Sequence, residues 1–137
     1  MILLDTQALI WFAEGDDRLG AKARDRIVDA TAARNVAVSP ISFWEVAMLV
    51  RKSRIHLGRS ADEWAAQICG NDGPVVTALT PGIATAAGQL PDSIHGDPAD
   101  RIIIATARSL ACPLLTADRK ILAYAAAGHV SVIDARL

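Results

Sequence analysis

The sequence predicts an α/β fold, a parallel sheet of about five short strands with helices on both faces. Two observations predict it. Short apolar runs alternate along the chain with helical patterns, which is the signature of parallel β-α-β units. The apolar residues, 52% of the chain, are Ala, Ile, Leu and Val with only 4% aromatic, the mix that packs helices onto a buried sheet. At 137 residues the chain suits one domain spanning 1–137, and no internal repeat, low-complexity segment or linker divides it.

The elements follow in order. Ile2-Leu3-Leu4 reads as a buried strand that ends at Asp5-Thr6, and a helix runs from Thr6 to about Ala13. Leu19 to Ala33 carries apolar residues at Ala23, Ile27, Val28 and Ala32 and reads as a helix. Val36-Ala37-Val38 is the second strand, and Ser39-Pro40 starts a helix that carries Glu45 to about Arg51. Ser60 caps a helix over Ala61–Cys69, and Val75 to Leu79 is the third strand. Thr80-Pro81 opens a helix ending near Leu90. Asp97-Pro98 opens the next, with Asp100 in its first turn, where the helix dipole favours a carboxylate. Its run Ile102-Ile103-Ile104-Ala105 has no polar face, so it is expected to be buried. Leu114-Leu115 is the fourth strand, ending at Thr116-Ala117-Asp118. Arg119 to Ala127 is helical and stops at Gly128, and Val130 to Ile133 is the fifth strand.

Composition excludes several classes. A formal charge of −1 argues against a generic polyanion binder, leaving room for a local basic patch. Cys69 and Cys112 are isolated and form neither a metal motif nor a disulfide framework, which points to a reducing, cytoplasmic setting. Asp5 falls too early for a signal peptide. The longest uncharged stretch, Gly73 to Pro91, holds three prolines and three glycines and is rejected as a membrane span. No glycine-rich fingerprint follows Leu4, so a dinucleotide site is not expected.

Four acids stand where a parallel sheet places its ligands, beyond the carboxyl ends of the strands. Asp5 and Asp118 end strands, Asp100 opens a helix, and Glu45 lies early in the helix after the second strand. An order of 3-2-1-4-5 would make the first and fourth strands neighbours across the reversal and bring Asp5 and Asp118 to one crevice, although periodicity leaves the order open. Carboxylates about 4 Å apart repel by roughly 4 kcal/mol at an effective dielectric near 20. Such a group either shares a proton or is neutralised by a cation. Oxygen ligands without His or Cys favour Mg²⁺ or Mn²⁺, and the chemistry that suits such a site is metal-assisted phosphodiester hydrolysis. Each acid also has a plain structural role open to it. Asp5, Asp97 and Asp118 are placed to cap helices, and Glu45 to complete a capping box with Ser42.

Four stretches carry a family resemblance: Leu3-Leu4-Asp5-Thr6-Gln7-Ala8-Leu9-Ile10-Trp11, Ser42-Phe43-Trp44-Glu45-Val46-Ala47, His95-Gly96-Asp97-Pro98-Ala99-Asp100-Arg101-Ile102-Ile103-Ile104-Ala105, and Leu115-Thr116-Ala117-Asp118. Together they resemble PIN domains, and more narrowly the VapC-type toxins of bacterial toxin–antitoxin pairs, over essentially the whole chain. The resemblance implies a three-layer α/β sandwich with strand order 3-2-1-4-5. It implies a Mg²⁺- or Mn²⁺-dependent endoribonuclease that hydrolyses RNA through a metal-activated water. It implies a VapB-like antitoxin as partner, contact with DNA only through that antitoxin, and a homodimer. Asp5, Glu45, Asp100 and Asp118 fall on the family's acidic quartet. Asp5 and Asp100 are then expected to ligate metal directly, Asp118 directly or through water, and Glu45 to orient or deprotonate the attacking water. Thr6 and Thr116 fall where the family often has a hydroxyl bonded to the carboxylates. Asp97 is assigned to capping and Arg101 to a salt link or phosphate contact.

Further residues are read from their surroundings. His95 precedes the acids in a loop, where either substrate contact or, more simply, the polarity of the loop accounts for it. The basic run Arg51 to Arg59 either holds an RNA backbone or is a solvated helix end. Two other functions are compatible with the acids. One is a catalytically silent interaction module that binds a basic partner peptide. The other is aspartyl-phosphate chemistry on Asp5, against which stands Gln7 where a second Asp is usual.

Overall fold

A computed structural model describes residues 1–94 and 96–137; His95 lies outside the described residues. In chain order the elements are β1 (Ile2–Leu4), α1 (Thr6–Glu14), α2 (Ala21–Ala32), β2 (Val36–Val38), α3 (Pro40–Arg51), α4 (Ala61–Ile68), β3 (Val75–Val76), α5 (Pro81–Gly88), α6 (Pro98–Leu110), β4 (Leu114–Thr116), α7 (Arg119–Ala126) and β5 (Val132–Asp134). The strands form one parallel sheet in the order β3-β2-β1-β4-β5, as the resemblance implied.

Strands this short work because side chains alternate between the faces of the sheet. Ile2, Leu4, Val36, Val38 and Leu115 pack into one apolar cluster with Leu9, Trp11, Ile27 and Trp64. Leu3, Ala37 and Leu114 point the other way, into a second cluster with Ile83, Ile103, Ile104, Ile121 and Tyr124. Two cores separated by one sheet make the three layers. β1, β2 and β4 are buried on both faces, which is why β1, β2 and the Leu114-Leu115 part of β4 are apolar without alternation.

Some boundaries differ from the sequence reading. The third strand stops at Val76, and both its residues are exposed at the edge of the sheet. The last strand starts two residues late, at Val132. The helix expected from Leu19 starts at Ala21 behind Gly20, and Leu19 turns into the first core instead. α6 buries Ile103, Ile104, Ala105, Thr106 and Ala107, while Arg108 and Leu110 reach solvent at its far end. The Ser42–Glu45 capping box does not form. Ser39 caps α3 by accepting from the Ile41 N–H, which leaves both residues inside the helix and free for other partners. No described helix is long and apolar enough to cross a membrane.

Candidate metal centre

The reversal of strand order falls between β1 and β4, so the loops leaving these two strands diverge and open a crevice at their carboxyl ends. Asp5, Glu45, Asp97, Asp100 and Asp118 line one cleft there, of about 390 Å³, with Thr6, Gln7, Trp11, Leu49, Ala117 and Arg136. The four acids singled out from sequence are therefore brought together.

Three of the five acids cap helices. Asp5 Oδ1 accepts from the Ala8 N–H at 2.8 Å, Asp97 Oδ1 from the Asp100 N–H at 3.2 Å, and Asp118 Oδ1 from the N–H groups of Lys120 and Ile121 at 2.8 and 3.1 Å. Capping and gathering at the cleft thus coexist in the same side chains. The N-termini of α1, α6 and α7 converge here, and their partial positive ends offset part of the repulsion among the carboxylates.

Two threonines hold the acids in place. The Thr116 hydroxyl donates to Asp5 Oδ2 and accepts from the Asp118 N–H at 3.0 Å, tying the end of β1 to the end of β4. The Thr6 hydroxyl donates to Glu45 Oε1 and lies 2.9 Å from the Ser42 hydroxyl, tying α1 to α3.

The electrostatics are those of an anionic cup. Burial pushes the Asp5 carboxyl up to about 6, with smaller contributions from Asp118 and Glu45, against the hydrogen bonds from Thr116 and Ala8. Asp100 is pushed up to about 8, first by burial and then by Asp97, Asp118, Glu45 and Asp5. Glu45 is raised by burial, opposed by its bond to Thr6 and reinforced by Asp97. Carboxylate oxygens of Glu45, Asp97 and Asp100 lie within 4.8 Å of one another. At that spacing each ionised pair repels by about 3.5 kcal/mol at an effective dielectric of 20. An all-oxygen donor set of this density fits a hard divalent cation such as Mg²⁺ or Mn²⁺.

Asp97 is the functional candidate that sequence reasoning placed outside the cluster. Its signal was the spacing itself, because a capping residue and the third residue of the helix sit side by side over the first turn. Among the described residues Arg101 makes no salt link. Its guanidinium donates to the carbonyls of Ala87, Ile94 and Gly88 at 2.9, 3.3 and 3.4 Å, closing the end of α5 against the start of α6. Arg101 thereby anchors the turn that carries Asp100. No residue of the basic run Arg51 to Arg59 lines the cleft. Arg51, Lys52 and Arg54 are exposed, and Arg59 turns inward to the Leu57 carbonyl and Glu14.

Comparison with known proteins agrees with this fold. The PIN domain model matches residues 2–127. Ribonuclease VapC22 of Mycobacterium tuberculosis is 36% identical over 120 residues, covering 88% of each chain. Among solved structures, a toxin–antitoxin complex from Klebsiella pneumoniae aligns with a TM-score of 0.62 at 21% identity, over 98% of this chain and 97% of the other. FitAcB from Neisseria gonorrhoeae aligns with a TM-score of 0.62 at 19% identity, over 98% and 97%. FitAB bound to an IR36 DNA fragment aligns with a TM-score of 0.65 at 20% identity, over 100% and 96%. At these identities the solved structures bear on the fold alone.

Proposed function

Since the chain belongs to the PIN-domain family, in its VapC-type branch, we propose that it is a divalent-cation-dependent endoribonuclease acting as the toxin of a toxin–antitoxin pair. The observation that carries this reading is the convergence of Asp5, Glu45, Asp100 and Asp118 on one cleft at the strand-order reversal. Asp5, Asp100 and Asp118 would hold Mg²⁺ or Mn²⁺, with Asp97 beside Asp100. When bound, such an ion supplies charge neutralisation at a phosphodiester and a more acidic water.

The chain's own residues supply the rest. Glu45, held by Thr6 and made a stronger base by burial, orients water and in its ionised form accepts its proton. The N-termini of α1, α6 and α7 present positive ends to a phosphate that enters the cleft. Thr116 fixes the Asp5 carboxylate, and removal of such a supporting hydrogen bond typically costs about 10–100-fold in metal affinity or activity. Thr116→Val is accordingly expected to raise the Mn²⁺ concentration for half-maximal activity by about 10–100-fold while the fold is retained. Isothermal titration with Mn²⁺ and circular dichroism check the two halves of that expectation.

An antitoxin that brings basic side chains to the cup would neutralise it in place of the ion. Its relatives' names support such a partner, since FitAB and the Klebsiella protein were solved as complexes, the former on DNA. Trp44, 55% exposed on α3 beside exposed Ala47, supports a second copy of the chain docking at that helix.

The deciding experiment is cleavage of mixed RNA by the purified chain with Mn²⁺, Mg²⁺ or EDTA. Cleavage with either ion and none in EDTA is expected. Cleavage that persists in EDTA overturns the metal mechanism. Tight binding of a basic partner without cleavage at any metal concentration favours the interaction module instead.

A further inference from the structure

We propose that Arg136 binds a backbone phosphate of the RNA at the mouth of the acidic cleft, so that the turn after β5 belongs to the substrate site. The inference rests on the nuclease reading above. Among the described residues that line the cleft, Arg136 is the only lysine or arginine. RNA approaching a cup of carboxylates meets repulsion, and an ion bound inside it neutralises only the phosphate it touches. A fixed cation at the rim attracts the neighbouring phosphate and so selects which one is seated inside.

The backbone on either side of Arg136 is held by hydrogen bonds. The Ala135 N–H donates to the Thr116 carbonyl at 2.8 Å, the Gly20 N–H to the Ala135 carbonyl at 2.8 Å, and the Lys22 N–H to the Leu137 carbonyl at 2.9 Å. The Arg136 N–H donates to Asp134 Oδ1 at 2.9 Å. A Cβ added at Gly20 would stand 2.2 Å from the Leu137 carbonyl carbon and 2.5 Å from the Arg136 carbonyl group, so this contact exists only because residue 20 has no side chain. From that clamp the guanidinium reaches back to the residue before Asp118, where its Nη1 donates to the Ala117 carbonyl. It makes no ion pair among the described residues. One N–H is engaged, and the planar fork retains donors for two oxygens of a phosphate.

The competing role is a brace, in which Arg136 only steadies Ala117 and, through it, Asp118. The two roles separate in measurement. Fluorescence anisotropy with a fluorescein-labelled, mixed-sequence single-stranded RNA in EDTA reads binding with neither metal nor cleavage. Arg136→Gln is expected to weaken this binding about tenfold and to reduce the slope of log affinity against log salt by about 0.7, the value for one phosphate contact on a single strand. With Mn²⁺, its KM is expected to rise about tenfold, by more than kcat falls, as for loss of a charged hydrogen bond. The Mn²⁺ concentration for half-activation is expected to stay unchanged. Arg136→Lys is expected to keep the salt slope. Gly20→Ala, which must displace residues 136–137, is expected to raise KM like Arg136→Gln, and Arg136→Gln carries the test by itself if that variant does not fold. An active wild type with unchanged RNA affinity, salt slope and KM in Arg136→Gln overturns this inference alone. A shifted Mn²⁺ requirement at unchanged KM assigns the brace and also overturns it. A wild type that neither binds nor cleaves RNA overturns the nuclease reading together with this one.

Discussion

Asp100→Asn is expected to lower kcat/KM for RNA cleavage by about 10²–10³-fold, because a catalytic ion supplies several kcal/mol of transition-state stabilisation and each 1.36 kcal/mol is tenfold. The same substitution is expected to raise the melting temperature of the metal-free protein at pH 8. Asp100 is half-buried in the first turn of α6, its carboxyl pushed up to about 8 by burial and by four neighbouring acids. Ionising it there is unfavourable, and asparagine removes the charge at nearly the same size. The helix keeps its start, since the cap is the Asp97 side chain and the bond it accepts comes from the backbone N–H of residue 100. A domain of this size gains about 3–5 °C for each kcal/mol. Activity and stability should therefore move in opposite directions, as at sites that hold strain for function. Thermal melts in EDTA and steady-state kinetics in Mn²⁺ measure both. A variant that is less stable and equally active would remove Asp100 from the proposed centre.

Much of this arrangement was legible because local and global signals agree. Ile2-Leu3-Leu4, Val36-Ala37-Val38 and Leu114-Leu115 are apolar without alternation, which only strands covered on both faces can be. The proline-led starts at Pro40, Pro81 and Pro98 marked three helices to the residue. Val75-Val76 misled in length because an edge strand is ended by loss of a neighbour, and its residues carry no sign of that. The strand order was not contained in periodicity at all and came through the resemblance.

The candidate site was legible where a residue's place follows from the sheet edge. Asp5 and Asp118 end paired strands, and their convergence follows from the order β2-β1-β4. It was less legible where a long side chain chooses among partners. Arg101 was expected to seek a carboxylate or a phosphate, and its guanidinium donates to the Ala87 and Gly88 carbonyls, which the end of α5 leaves within its reach, and to the Ile94 carbonyl in the loop before α6. Arg136 lies 18 residues after Asp118 and gave no local signal. Only the pairing of β5 with β4 and the gap left by Gly20 bring it to the cleft.

The stability of the metal-free protein is expected to fall as pH rises from about 4 to about 8, and added Mn²⁺ is expected to reverse that fall. Asp5 and Asp100 have ordinary values of 3.8 and are raised to about 6 and about 8 in the folded chain. Between those limits the folded state holds protons that the unfolded chain has released, so rising pH favours unfolding. The effect is absent below 3.8, where both states are protonated, and is complete above about 8. Asp16, held down to about 2 by Arg18, acts in the opposite sense, but its window lies below 3.8 and outside this range. A divalent ion competes with the same protons, so its binding strengthens over the range in which the empty site becomes unfavourable. At a hundredfold excess over its dissociation constant, Mn²⁺ adds about 2.7 kcal/mol to the folded state. Melting curves at pH 5 and pH 8, with and without Mn²⁺, should therefore show a small metal shift at the lower pH and a large one at the higher. Equal shifts at both would mean that the ion binds without displacing the Asp5 and Asp100 protons, and the anionic cup would no longer be the place where it sits.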